Sequence, residues 1–242
     1  MANFYITKEQ IADNTAIITG EEAQHISRVL RMKKGDTVTL CDGAGYFYEA
    51  TLCGFDEKSV TAEINSVRKA QTEPNVQITI FQGVPKNPKL ETIVQKATEI
   101  GVVKIVPMDT KRAVAKLDKS SKVDRLRKIA REAAKQSKRG IVPAVCEPIS
   151  FKEAVKEAAK ADIAIIPYEE EREVSLKKAL SGKKAQSVSI MIGPEGGFEK
   201  DEVLLAKENG IISVTLGRRI LRTETAPLVV SAAVLYEMGE ME

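Results

Sequence analysis

A chain of 242 residues, 43% of them hydrophobic, can fill one large core or two modest ones, and its single histidine and three cysteines leave little room for metal or triad chemistry. Zinc proteases place two histidines on one helix, a hydrolase triad would have to recruit His25 from the N-terminal region, and Cys41, Cys53 and Cys146 form no CxxC pair, so they read as buried apolar residues in a reducing compartment. The formal net charge of +3 does not announce a nucleic-acid partner, so the placement of charge decides.

In chain order, residues 1–10 alternate polar and apolar side chains and do not resemble a signal peptide. The longest apolar stretch, residues 227–236, falls short of the about 18 that a bilayer span needs, so a cytoplasmic protein with no membrane contact is expected. A short helix is expected near residues 23–30. From 37 to 67 the pattern alternates and is β-branched, and Asp42-Gly43 between alternating runs signals a hairpin. Residues 1–72 therefore read as a small, mostly antiparallel β domain, with the charged, proline-containing stretch 68–74 as its linker.

After Pro74 apolar runs of strand length, at 76–81, 103–108, 163–167, 188–192 and 213–216, alternate with helical periodicity at 90–100, 121–138, 151–160, 174–180, 200–209 and 226–238. Strand and helix in alternation imply a parallel sheet covered on both faces, across residues 73–242.

Two segments carry chemistry. Ile190-Met-Ile-Gly-Pro-Glu-Gly-Gly-Phe198 is an apolar strand running into a turn whose glycines tolerate positive φ and close backbone approach, while Pro194 removes a donor. In open α/β sheets ligands bind beyond the carboxyl ends of strands, where this loop falls. An ordinary strand-to-helix turn is the plain alternative. Leu216-Gly-Arg-Arg-Ile-Leu-Arg-Thr-Glu-Thr-Ala-Pro227 repeats the arrangement with arginines, and Thr225 and Pro227 suit a helix start. Backbone from these two strand ends, taken as neighbours, is expected to close into one pocket.

Between residues 111 and 139 twelve Lys and Arg face three acids, Asp118, Asp124 and Glu132. On the predicted helix Val123, Leu126, Ile129, Ala130 and Ala133 gather on one face and Arg127, Lys128, Arg131, Lys135 and Lys138 on the other, a candidate phosphate track. Arg28, Arg31, Lys33 and Lys34 form a second patch. With aromatics at 5% and no tryptophan, shape and phosphate recognition of folded RNA is favoured over a stacking platform.

The two loop segments, with His25-Ile-Ser-Arg-Val-Leu-Arg31, Gln95-Lys-Ala-Thr-Glu-Ile-Gly101 and Ala134-Lys-Gln-Ser-Lys-Arg139, resemble the SPOUT superfamily of knotted methyltransferases, specifically the bacterial family that methylates N3 of a uridine in 16S ribosomal RNA. The resemblance spans nearly the whole chain in order. It implies a PUA-like β-barrel RNA-binding domain over 1–72, then a trefoil-knotted, mostly parallel α/β methyltransferase domain over 73–242, an exception to the rule against threaded loops. It implies S-adenosylmethionine bent between the turn after Pro167, the loop of Ile192, Gly193, Pro194, Gly196 and Gly197, and the loop of Leu216, Gly217, Ile220 and Leu221. It implies a homodimer packed through residues 226–238, and as substrate 16S rRNA in the small ribosomal subunit. The expected RNA contacts are His25, Arg28, Arg31, Arg131, Lys138, Arg139 and Arg219, with His25 left open between RNA and a structural role. No metal is expected.

Three positions depart from the family pattern: Glu199 replaces a Ser or Thr cap, Lys135 a Glu, and Pro227 an Ala. Asp201 is expected to offset the first through the helix dipole.

Uracil N3 carries a proton at neutral pH, so the site must remove it or stabilise the anion, and must expose an edge normally paired, by flipping. Arg222, ahead of Arg219, is expected to stabilise charge on the uracil carbonyls. Glu195 or Glu224 is the candidate proton acceptor, against a reading of Glu195 as a loop carboxylate that satisfies backbone N–H groups. The rivals are a phosphate-binding α/β enzyme, disfavoured by the lack of GxGxxG and GxxxxGK[ST], and a non-catalytic RNA-binding ribosome assembly factor.

Overall fold

The computed structural model describes residues 3–86, 88–117 and 120–241, so Asp118, one of the three acids counted against the basic stretch, lies outside the described residues. Two compact units divide the chain: Met1–Glu73 with Ala134–Val142, and Pro74–Ala133 with Pro143–Glu242.

The first unit is a curled sheet of β1 (Asn3–Tyr5), β2 (Ile11–Ala12), β3 (Thr15–Thr19), β4 (Thr37–Cys41), β5 (Tyr46–Phe55) and β6 (Ser59–Lys69), ordered β1-β4-β5-β6-β3-β2. Every pair is antiparallel except β1 with β4. Its hairpin turns where Asp42 Oδ1 accepts from the N–H groups of Ala44 and Tyr46, at 2.8 and 3.0 Å. Helix α1 (Gly20–Gln24) runs into a π-helical turn, His25–Val29, which seats Ile26 in a core with Phe4, Ile18, Leu40 and Leu52.

Residues 134–142 belong to this unit for a definite reason. Arg139 is 3% exposed, its guanidinium paired with Glu73 at 2.6 Å, and Glu73 also accepts from the N–H groups of Gly140 and Ile141 at 2.8 and 3.2 Å. The Tyr5 hydroxyl donates to the Arg139 carbonyl. A Cβ on Gly140 would lie 2.2 Å from that of Ala70, so only glycine fits.

The second unit is a seven-stranded parallel sheet: β7 (Gln77–Gly83), β8 (Lys104–Asp109), β9 (Ala144–Val145), β10 (Ile149–Ser150), β11 (Ile163–Pro167), β12 (Ser187–Ile192) and β13 (Ile212–Val214). Its order is β10-β8-β7-β12-β11-β13, with β9 also on β8. Alternation sends Ile163 and Ile165 to one core and Ala164 and Ile166 to the other. The first core is covered by α2 (Lys89–Ile100), α3 (Ser120–Gln136), α5 (Leu176–Leu180) and α7 (Ala226–Glu237); the second by α4 (Phe151–Ala158) and α6 (Lys200–Glu208).

The connections run against sequence order. From β12 beside the central β7 the chain goes out to β13 at the edge, then returns so that α7 packs on α2 and β12. Among the described residues no helix is long and apolar enough to cross a membrane.

Candidate active site

The carboxyl ends of β12, β11 and β13 stand side by side, with Pro167 opposite Val214 in register. The glycine-rich and arginine-rich loops are therefore not on neighbouring strands as the sequence suggested: β11 lies between them, and the turn after Pro167 sits in the middle. The turn after Pro167, already expected among the three loops, thus stands between the other two.

The first loop is tightly built. Gly197 has φ +68°, and a Cβ there would lie 2.6 Å from the Glu169 carboxylate. A Cβ on Gly193 would lie 3.0 Å from backbone of Gly197, and one on Gly196 3.0 Å from the Arg112 side chain. Arg112 holds the loop from outside, donating to the Gly196 carbonyl at 2.9 Å and to both oxygens of Glu199 at 2.9 and 3.2 Å. Ile192 and Pro194 are buried. At the start of α6 the cap comes from Glu202, which accepts from the Glu199 N–H at 2.9 Å; Asp201 is instead paired with Lys111.

The middle turn is fixed by Glu171. Its carboxylate accepts from the N–H groups of Arg172 and Glu173 and from Lys207. Hydrogen bonding to backbone, chiefly the Glu173 N–H, holds its pKa down at about 2 against the pull of burial.

The returning segment is exposed where it matters. Gly217 has φ +99° with open space where a Cβ would stand, Leu216 and Leu221 are half-buried, and Arg219 and Arg222 are exposed. Ile220 is 86% exposed, an apolar side chain left in water three residues after the left-handed Gly217. Such a cradle of open backbone and uncovered hydrocarbon fits a part-apolar ligand such as S-adenosylmethionine. Thr225 stands at the cap position of α7 and Pro227 in its first turn, but the threonine side chain makes no cap bond; the Arg222 carbonyl takes the N–H groups of Thr225 and Ala226, at 2.8 and 2.9 Å.

Glu195 and Glu224 share one cation. Lys89, first residue of α2, lies 3.1 Å from Glu195 and 3.2 Å from Glu224. Burial pushes both carboxyls up, but backbone hydrogen bonds and Lys89 outweigh it and leave each below the usual carboxylate range. The ammonium is held above its ordinary value, first by Glu195 and then by Glu224. Glu195 also accepts from the Lys86 N–H at 3.2 Å.

The expected RNA residues divide. Arg28, Arg31, Arg131, Lys138 and Arg219 are exposed. Arg139 is not available to phosphate: buried against Glu73, its charge is already balanced, which corrects that expectation. His25 is half-buried, with its ring edge-on to Phe4 at 5.8 Å. The basic helix face is also less uncompensated than its own sequence implies, because Arg127 pairs with Asp124 and Glu147, Arg125 with Glu91, and Lys135 with Glu22. Lys135, the departure from the family's Glu, thus finds an acid at 2.9 Å.

Sequence reasoning missed Gln82, Lys89 and Thr223. Gln82 and Thr223 are buried polar side chains at the point where the first loop meets the returning segment, and the only local signal was a glutamine ending an apolar strand. A cavity of about 880 Å³ lies elsewhere, lined at the amino ends of β7 and β12 by Asn75, Gln77, Lys184 and Ser187.

With this geometry in place, the chain matches the family model for an RNA methyltransferase domain over residues 72–235 and that for an RNA methyltransferase PUA domain over 18–65. It is 37% identical to ribosomal RNA small subunit methyltransferase E of Bacillus subtilis over 241 residues, 96% of this chain and 94% of the relative. Its fold superposes, at a TM-score of 0.86 and 30% identity, on the crystal structure of ribosomal RNA small subunit methyltransferase E from Neisseria gonorrhoeae bound to S-adenosyl methionine, covering 98% of this chain and 97% of that one. A Legionella pneumophila methyltransferase structure with bound S-adenosylmethionine gives 0.83 at 29% identity, covering 97% and 96%.

Proposed function

The chain belongs to the ribosomal RNA small subunit methyltransferase E family, and on that premise we propose that it methylates N3 of one uridine in 16S rRNA, taking the methyl group from S-adenosylmethionine. The observation that carries this reading is the row of three loops at the carboxyl ends of β12, β11 and β13, two of them bearing left-handed glycines, with Ile220 uncovered beside them.

When bound, the cofactor would supply a methyl group on a sulfonium, whose departing thioether is a good leaving group. The residues that would hold it are Pro167, Ile192, Gly193, Pro194, Gly196, Gly197, Leu216, Gly217, Ile220 and Leu221, largely through backbone. The chain's own task is to prepare the nucleophile. Arg222, exposed on the returning segment, places a permanent cation where uracil carbonyl charge grows as N3 loses its proton. Glu224 and Glu195 are ionised at neutral pH and able to accept that proton, but Lys89 makes both weak bases, so Arg222 carries more of the work and Glu195 chiefly shapes its loop.

Lys138, Arg131, Arg28, Arg31 and Arg219 supply phosphate contacts for folded RNA, with His25 beside the N-terminal pair. A second copy of the chain covers α7, where Val229, 44% exposed, and Tyr236, 75% exposed, flank the half-buried Ala232 and Ala233 on one apolar strip. A ribosomal substrate supports the cytoplasm as its place of action; among the described residues no helix is long and apolar enough to cross a membrane.

Labelled-methyl transfer to small ribosomal subunits and to deproteinised 16S rRNA, followed by mass spectrometry of the digests, tests the reading. A single 3-methyluridine is the expected product. A methyl group on another base, or on ribose, contradicts it, and tight RNA binding without transfer would mean a non-catalytic assembly factor.

A further inference from the structure

We propose that Gln82 and Thr223 are positioning residues that set the glycine loop and the returning segment at the spacing the cofactor needs. The inference rests on the cofactor reading above. It starts from a buried polar knot of three chain segments. Gln82, at the end of β7, is 0% exposed, and its Nε2 donates to Thr223 Oγ1 at 3.1 Å and to the Gly83 carbonyl at 3.0 Å, with the Gly193 carbonyl at 3.4 Å. Thr223, 6% exposed, donates its hydroxyl to that same Gly193 carbonyl at 2.7 Å.

The orientation of the amide is dictated by these neighbours. Two carbonyls surround its nitrogen end, so flipping it would set oxygen against oxygen, and Gln82 Oε1 is left without a donor among the described residues as the consequence. A buried acceptor is thus left unsatisfied while the nitrogen's bonds are kept.

What these bonds join is specific. Gly193 begins the first cofactor loop, and Thr223 stands two residues after Leu221, the end of the third. The contact leaves no slack, because a Cβ on Gly83 would meet Pro194 Cδ at 2.7 Å and its N at 2.8 Å. Lys89 repeats the link further out, pairing with Glu195 of one loop and Glu224 of the other segment. Loosening the inner link lets the two walls of the cleft move independently, so each must be ordered at the expense of cofactor affinity.

Calorimetric titration with S-adenosylmethionine and thermal unfolding of the ligand-free chain, on the wild type, Thr223→Val, Thr223→Ser and Gln82→Leu, test this. Thr223→Val is expected to weaken cofactor binding about 10-fold or more, one buried hydrogen bond's worth in each partner. It should raise KM for the cofactor while kcat at saturation stays near wild type. Thr223→Ser, which keeps the hydroxyl, should bind within about 2-fold of wild type. Unchanged affinity in Thr223→Val, or a serine variant as weak as the valine one, would overturn the proposal; should Gln82→Leu fail to fold, the threonine pair decides alone. Gly217→Val separates this from the underlying reading: it forces a β-branched residue to φ +99° in the third loop and should abolish binding. If it binds like wild type, or the wild type binds no cofactor, the cofactor reading itself fails and the positioning role with it.

Discussion

The same central strands end in opposite ways. At their carboxyl ends β7 and β12 are joined by Gln82 and the Gly193 carbonyl and capped by the returning Thr223, with Gly83 pressed on Pro194. At their amino ends they border an open cavity of about 880 Å³ walled by Lys183, Lys184, Met238 and Glu240. The cavity is at one end of these strands, and the buried polar knot of Gln82, Thr223 and the Gly193 carbonyl is at the other. The difference sets an open hollow against an end where loops are fixed to one another, the arrangement that a cofactor gripped by backbone would need.

Breaking the tied end should cost most. Gly83→Val drives side-chain atoms into Pro194 and is expected to abolish cofactor binding and to lower the unfolding midpoint, read by titration and circular dichroism on the same sample. Arg222→Ala, on the open side of the same segment, leaves the tie intact: single-turnover methyl transfer should fall about 100-fold with cofactor affinity unchanged. An equal loss of affinity would place Arg222 in binding rather than in chemistry.

The middle loop offers a subtler probe. The folded pKa of Glu171 is depressed to about 2 from an ordinary value of 4.5, so its ionised form stabilises the fold fully above about pH 4.5, and that stabilisation is lost as pH falls from there toward about 2. Glu171→Gln should therefore lower the midpoint by roughly 5 °C at pH 7, with the gap to wild type closing below pH 4. A gap independent of pH would mean that the bonds to Arg172 and Glu173 do not depend on charge. At the untied end, Lys184→Ala should change neither cofactor affinity nor transfer rate; a clear loss would move the site to the cavity.

Much of this architecture was legible in residue pattern. Runs such as residues 163–167 and 188–192 became β11 and β12 nearly to the residue, because strands buried on both faces need unbroken apolar sequence. β9 and β10, two residues each, are too short to show any period, and α5 begins at Leu176 rather than 174 because Ser175 caps it by accepting from the Lys178 N–H. What pattern could not show is pairing across long separations. Arg139 read as a phosphate ligand because Glu73 is 66 residues away, and the basic helix read as uncompensated because Glu22, Glu91 and Glu147 come from other segments. The interposed β11 and the meeting of Gln82 with Thr223, 141 residues apart, are likewise properties of the strand order, not of local sequence.

The most direct measurement is a crystal structure of this chain grown with S-adenosylmethionine. Density for the cofactor among Pro167, Gly193 to Gly197 and Leu216 to Leu221, with the Thr223 hydroxyl still on the Gly193 carbonyl, is the predicted result. Density instead beside Asn75, Lys184 and Met238 at the opposite end of the sheet would contradict the account.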